Sequence, residues 1–119
     1  MRASVFRMDR ARRRVVLLSI RKSCEYRGWW LTAAHVRSTH VHVVIATEEK
    51  PERVMGELKA YASRALTTSG LEKSSRPKWT THGSTRWLWE EENVRAAMDY
   101  VLDGQGENME VYRGTEPWS

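Results

Sequence analysis

Two histidines separated by one valine, His40 and His42, lead into the β-branched run Val43-Val44-Ile45, which reads as a buried strand. Side chains alternate along a strand, so His40, His42 and Val44 share one face while Val41, Val43 and Ile45 take the other. The second set is wholly apolar and belongs against a core. The first places two imidazoles about 7 Å apart along the strand, near enough for their ring nitrogens to converge on one ion or one phosphate. The spacing excludes several alternatives. A histidine-triad nucleotide hydrolase needs a third histidine where Val44 stands, and a cupin needs an all-β chain. A structural zinc site needs four ligands, and the leftover His35, His82 and Cys24 fall in different elements. What remains is a divalent ion held by two imidazoles and an oxygen ligand, with open positions for a phosphate.

Such a site polarises a phosphodiester but needs a nucleophile. No Ser-His-Asp order or reactive-cysteine setting is present, which leaves four tyrosines. Tyr61 sits in the apolar stripe of its helix and reads as core. Tyr26 ends the first helix, and Tyr112 lies in a tail with no predicted element. Tyr100 falls about 90° from the centre of the last helix's apolar stripe, at the rim of the buried face, where a hydroxyl can reach both sheet and substrate.

The elements that must position these groups follow from local signals. Asp9 is a plausible N-cap for a helix over 10–27, with Val16, Leu17, Ile20 and Cys24 on one side and Gly28 as its stop. Ala3–Met8 reads as a short strand or an approach loop. Trp29–Arg37 and 39–46 read as strands of an antiparallel hairpin turning at Ser38. Thr47 and Pro51 start a helix that runs to about Thr67, with Val54, Leu58, Tyr61 and Ala65 as its stripe. Thr67–Gly83 reads as a long polar loop and Ser84–Trp89 as a strand. Glu90–Asp103 is a last helix with Val94, Ala97, Met98 and Val101 inward, stopped by Gly104. The order (β)αββαβα predicts an α+β, ferredoxin-like antiparallel sheet with helices on one face, a C-terminal helix added, and the other face open to a ligand.

The 119 residues suit a single domain over 1–119. The net charge is +5, and it is uneven: residues 1–37 balance at +8 and the remainder at −3. A basic front end points to a polyanion, nucleic acid first. The lone Cys24 excludes an internal disulfide and fits a reducing compartment, with the thiol as core filler. No apolar run reaches the ~18 residues of a membrane span, and the basic start lacks the apolar segment of a secretory signal. A cytoplasmic protein is expected.

Four stretches together carry a resemblance. Thr39-His40-Val41-His42-Val43-Val44-Ile45, Leu58–Leu66, Gly83–Trp89 and Tyr100-Val101-Leu102-Asp103-Gly104-Gln105-Gly106 resemble, in order and spacing, the single-tyrosine HUH transposases. These include the small insertion-sequence enzymes and the REP-associated tyrosine transposases, and the likeness runs from about Asp9 to Tyr112. The resemblance implies Mg²⁺ or Mn²⁺ on His40 and His42 with Gln105 as third ligand, and Tyr100 as nucleophile. It implies cleavage of single-stranded or hairpin DNA through a 5′-phosphotyrosine, by a homodimer at the nucleoid. Arg10, Arg13 and Arg14, with Arg37, Lys59 and Arg86, are expected to hold the DNA backbone, and Trp29, Trp87 or Trp89 to stack on bases. Gln105 follows Tyr100 by five residues where the best-known relatives have four. It can join the metal shell only if Gly104 ends the helix and turns the chain back. By the same resemblance, the first sheet strand of relatives is expected here to be short, missing or supplied by another protomer. A non-catalytic nucleic-acid-binding module derived from such an enzyme is the alternative.

Overall fold

The computed structural model describes residues 7–73, 91–104, 106 and 108–115. The elements in order are α1 (Arg10–Arg27), β1 (Trp30–Val36), β2 (Val41–Ala46), α2 (Pro51–Thr68), α3 (Glu91–Asp103) and β3 (Glu110–Arg113). The strands form one antiparallel sheet in the order β2-β1-β3. The expected strand over Ser84–Trp89, most of the long loop, and residues 3–6 of the expected Ala3–Met8 segment lie outside the described residues. At the edge of that segment, the buried Met8 donates its backbone N–H to the Ser38 carbonyl at 2.7 Å. No helix among the described residues is long and apolar enough to cross a membrane.

α1 is bounded as its sequence dictates. The Asp9 carboxylate accepts the Arg12 N–H at 2.9 Å, which satisfies one of the open donors of the first turn and holds the Asp9 carboxyl below its usual range. At the other end Gly28 takes φ 74°, its N–H reaching the Glu25 carbonyl and the Trp29 N–H the Cys24 carbonyl. This double closure favours glycine because the left-handed conformation crowds a Cβ. The buried face includes Val16, Ile20 and Cys24 as expected, and also Ser19 and Ser23. Both serine hydroxyls donate to carbonyls of the preceding turn, Val16 and Ser19, so no polar atom is stranded there. Burial pushes the Cys24 thiol up to about 11, which suits filler and not a nucleophile.

β1 is the central strand, and six consecutive residues from Leu31 to Val36 are buried because both of its faces are covered. A bulge at Thr32 interrupts its register with β2, and the Thr32 hydroxyl donates to the Val44 carbonyl at 3.0 Å. On one face Leu31, Ala34 and Val36 meet α1 and α2, with Val41, Val43 and Ile45 of β2 beside them. On the other, Ala33 and Val44 meet Met98, Val101 and Leu102 of α3. The alternation read from the histidine strand therefore holds. The expected open face does not stay open, because α3 covers its Ala33–Val44 part.

Two further expectations shift. The α2 stripe runs strictly by fours through Val54, Leu58, Ala62 and Leu66, leaving Tyr61 and Ala65 on its flank. Arg64 sits 4.7 Å over the Tyr61 ring. The tail also supplies a strand: Glu110–Arg113 pairs with β1, His35 facing Val111 and Ala34 facing Tyr112.

Candidate metal and nucleic-acid site

The α3 cover stops short of the far end of β2. There His40 is exposed and His42 half-buried, with ring centroids 6.1 Å apart and planes within 16° of parallel. His40 Nδ1 shares a 2.8 Å hydrogen bond with the Thr39 hydroxyl. A metal-competent His40 carries its proton on Nδ1 and donates it to that hydroxyl, which leaves the Nε2 lone pair outward. Burial, then the charges of His40, His35 and Arg37, hold His42 below the ordinary histidine value of 6.5. A neutral imidazole is the form that binds a metal.

Across from His42 on β1 stands His35, fully buried. Its Nδ1–H donates to the Val101 carbonyl and its Nε2 accepts the Met109 N–H, both at 3.0 Å. The Val101 carbonyl belongs to the last turn of α3, where no helical donor is guaranteed. His35 thus fastens the end of the Tyr100 helix and the start of β3 to the strand beside His42. It is a polar tie and not a ligand. Its sequence signal, one histidine in an apolar strand, says only that a buried partner must exist.

The two imidazoles put nitrogen donors, the kind a divalent ion accepts, on one face, with one ring oriented by its neighbour's hydroxyl. Among the described residues no group of three His, Cys, Asp or Glu completes the set. Gln105 lies outside the described residues. The helix does end at Asp103, as a returning Gln105 requires, and Gly106 adopts φ 85°.

Tyr100 departs from its expected place. Leu102 is buried together with Met98 and Val101, which turns the inner face of α3. Tyr100 lies two residues from both Met98 and Leu102, about 160° round the helix from each. It is 60% exposed, on the outer side of α3 and not at the rim of the buried face. Its ring rests beside Gly104, where an added Cβ would come within 3.0 Å of Cδ1.

The expected DNA-binding residues divide. Arg10 and Arg14 are exposed on α1. Arg13 turns inward, donating to the Met8 carbonyl at 3.1 Å and approaching Glu110 at 3.7 Å, so it serves the fold and not a ligand. Arg37 and Lys59 are half-buried, and Arg86 lies outside the described residues. Trp29 is only 8% exposed, so it cannot stack on a base, whereas its neighbour Trp30 is 45% exposed. The Gly28 closure selects between them by drawing Trp29 onto Cys24. Trp87 and Trp89 lie outside the described residues. α1 and the histidine pair stand on opposite faces of the sheet. Comparison of the chain with family models, curated proteins and solved structures finds no match.

Proposed function

We propose that the chain is an HUH-type, metal-dependent single-strand DNA nuclease and strand transferase acting as a homodimer at the nucleoid. The observation that carries this reading is the near-parallel His40–His42 pair beyond the part of the sheet face that α3 covers, among the described residues. His40 and His42 would hold Mg²⁺ or Mn²⁺, with Gln105 as third ligand. The bound ion supplies positive charge to the scissile phosphate and helps ionise a phenol whose ordinary pKa near 10 makes it a poor nucleophile. Tyr100 Oη attacks phosphorus and gives up its proton to solvent. The bond from phosphorus to the 3′ oxygen breaks, and that oxygen takes a proton as the free 3′-hydroxyl. The 5′-phosphate stays on the tyrosine, so rejoining needs no nucleotide cofactor. The outward position of Tyr100 favours attack at the histidine pair of a second copy, which makes the dimer part of the site.

Incubation with hairpin-bearing single-stranded DNA and Mn²⁺ should give a protein–DNA adduct that survives denaturing gels. Tyr100→Phe is expected to abolish it and Tyr61→Phe to retain it; the reverse result ends the assignment. Mixing Tyr100→Phe with His40→Ala should restore adduct on the His40→Ala chain if the tyrosine acts across the dimer. A non-catalytic DNA-binding module is the second reading, favoured by the separation of α1 and the histidines onto opposite faces. There His40→Ala would leave DNA affinity unchanged, and Mn²⁺ would not raise the melting temperature.

A further inference from the structure

Where α1 ends and β1 begins, far from the histidines, lies an open groove of about 290 Å³ bordered by Arg21, Glu25, Trp30, Leu31, Tyr112 and Thr115. Its size is at the small end for ligand pockets, suited to one ring system and not to a dinucleotide. The Trp30 indole N–H donates to the Thr115 carbonyl at 2.8 Å, which fixes the ring and leaves its π face as what it has to offer. The Arg21 guanidinium lies 4.6 Å from the centroid of the Tyr112 ring, a planar cation on a planar aromatic. Glu25 puts a carboxylate into the same lining, and it enters no ion pair among the described residues.

The groove continues into a row of charge. Arg10, Arg14 and Arg21 lie within about 40° of one another round α1 and span about 16 Å along it. All three are exposed and free of ion pairs among the described residues. α1 and β1 run in opposite directions, and the Met8–Ser38 hydrogen bond ties the start of α1 to the β1–β2 turn. The row therefore leads from the groove to the rim of the sheet where His40 stands.

We infer that the groove takes one unpaired base of single-stranded DNA, stacked on Trp30, while the adjoining phosphates follow Arg21, Arg14 and Arg10 towards the histidine end. Stacking needs a base with a free face, which a duplex does not offer. Glu25 repels a phosphate from the groove and accepts a hydrogen bond from an exocyclic amino group, so cytosine is favoured over thymine. This rests on the reading that the partner is single-stranded DNA, and not on the cleavage chemistry.

The test is fluorescence anisotropy of labelled oligodeoxycytidine and oligothymidine with the full chain, alongside the covalent adduct assay. Trp30→Ala should weaken oligodeoxycytidine binding at least about tenfold at an unchanged melting temperature, and Trp30→Phe should recover most of it. Glu25→Ala should narrow the difference between the two oligomers, a readout that survives if Trp30→Ala fails to fold. Equal binding by wild type, Trp30→Ala and Trp30→Phe overturns the groove, whether or not an adduct forms. Trp30-dependent binding without a Tyr100 adduct keeps the groove and overturns the strand-transfer reading. Absence of single-strand binding by the wild type overturns both.

Discussion

Against α1 and α2 the sheet sets Leu31, Ala34 and Val36 beside Val41, Val43 and Ile45, an apolar surface that runs the length of β1 and β2. Against α3 it sets Ala33 and Val44, and then the apolar contact gives way to His35 and His42. The same two strands face both ways, so composition alone does not separate the faces. Alternation does: one residue in two answers to the large core, and the others are released for polar work. On the α3 side burial is bought with hydrogen bonds, because His35 enters the interior only with both ring nitrogens partnered. The larger apolar cluster thus lies on one face, while the other mixes a smaller apolar cluster with polar groups.

Three measurements break or sharpen that contrast. The largest effect is expected on the apolar face: Leu66→Ala, at a fully buried position, should cost about 2–5 kcal/mol in chemical denaturation. At temperatures where the variant stays folded, any Mn²⁺ response of the histidine pair should be unchanged. A lost response would mean that the faces are not separable. Next comes His35→Ala, which strands the Val101 carbonyl and the Met109 N–H and should cost about 1–3 kcal/mol. Hydrogen exchange should speed up at Met109 before it does so at Leu58; uniform acceleration would refute the polar tie. The smallest effect is the pH response of His42. Its folded value lies below 6.5, so the folded state binds fewer protons than the unfolded chain in the window beneath 6.5. Its contribution to stability is full above 6.5 and is lost as pH falls through the depressed value. His42→Gln should flatten this slope, and the Mn²⁺ response should fade over the same window as protons compete for the ring. A wild-type melting temperature indifferent to pH there, with or without Mn²⁺, contradicts the burial of His42.

The parts of the fold that the chain announces are those whose signals are local. Asp9 and Gly28 mark the ends of α1 because caps act within a few residues of the helix they close. The histidine strand is legible because Val41, Val43 and Ile45 alternate with its polar face. β3 is not legible: four residues, Glu110–Arg113, carry too little alternation to stand out, and only β1 makes them a strand. The α2 stripe drifts from the expected Tyr61 and Ala65 to Ala62 and Leu66 because small and large apolar residues fit equally at those positions until α1 chooses. Tyr100 is misplaced for a related reason: the burial of Leu102 depends on where α3 settles over Ala33 and Val44. The histidine pair could be read from its spacing, but Trp30 as the outward tryptophan depends on the backbone closure at Gly28.

Among the described residues, every buried member of the larger core, from Met8 to Leu66, is drawn from one unbroken stretch of chain. During synthesis those residues can pack on one another before α3 exists, and Tyr112 and Glu110 of β3 join them only later. The histidine face is different, because its cover comes from residues beyond 93 and its last strand from 110–113. On the ribosome most of the larger core can therefore assemble before the histidine face receives its cover. Until the later residues arrive, the imidazole of position 35 has neither of the partners that let it stay inside.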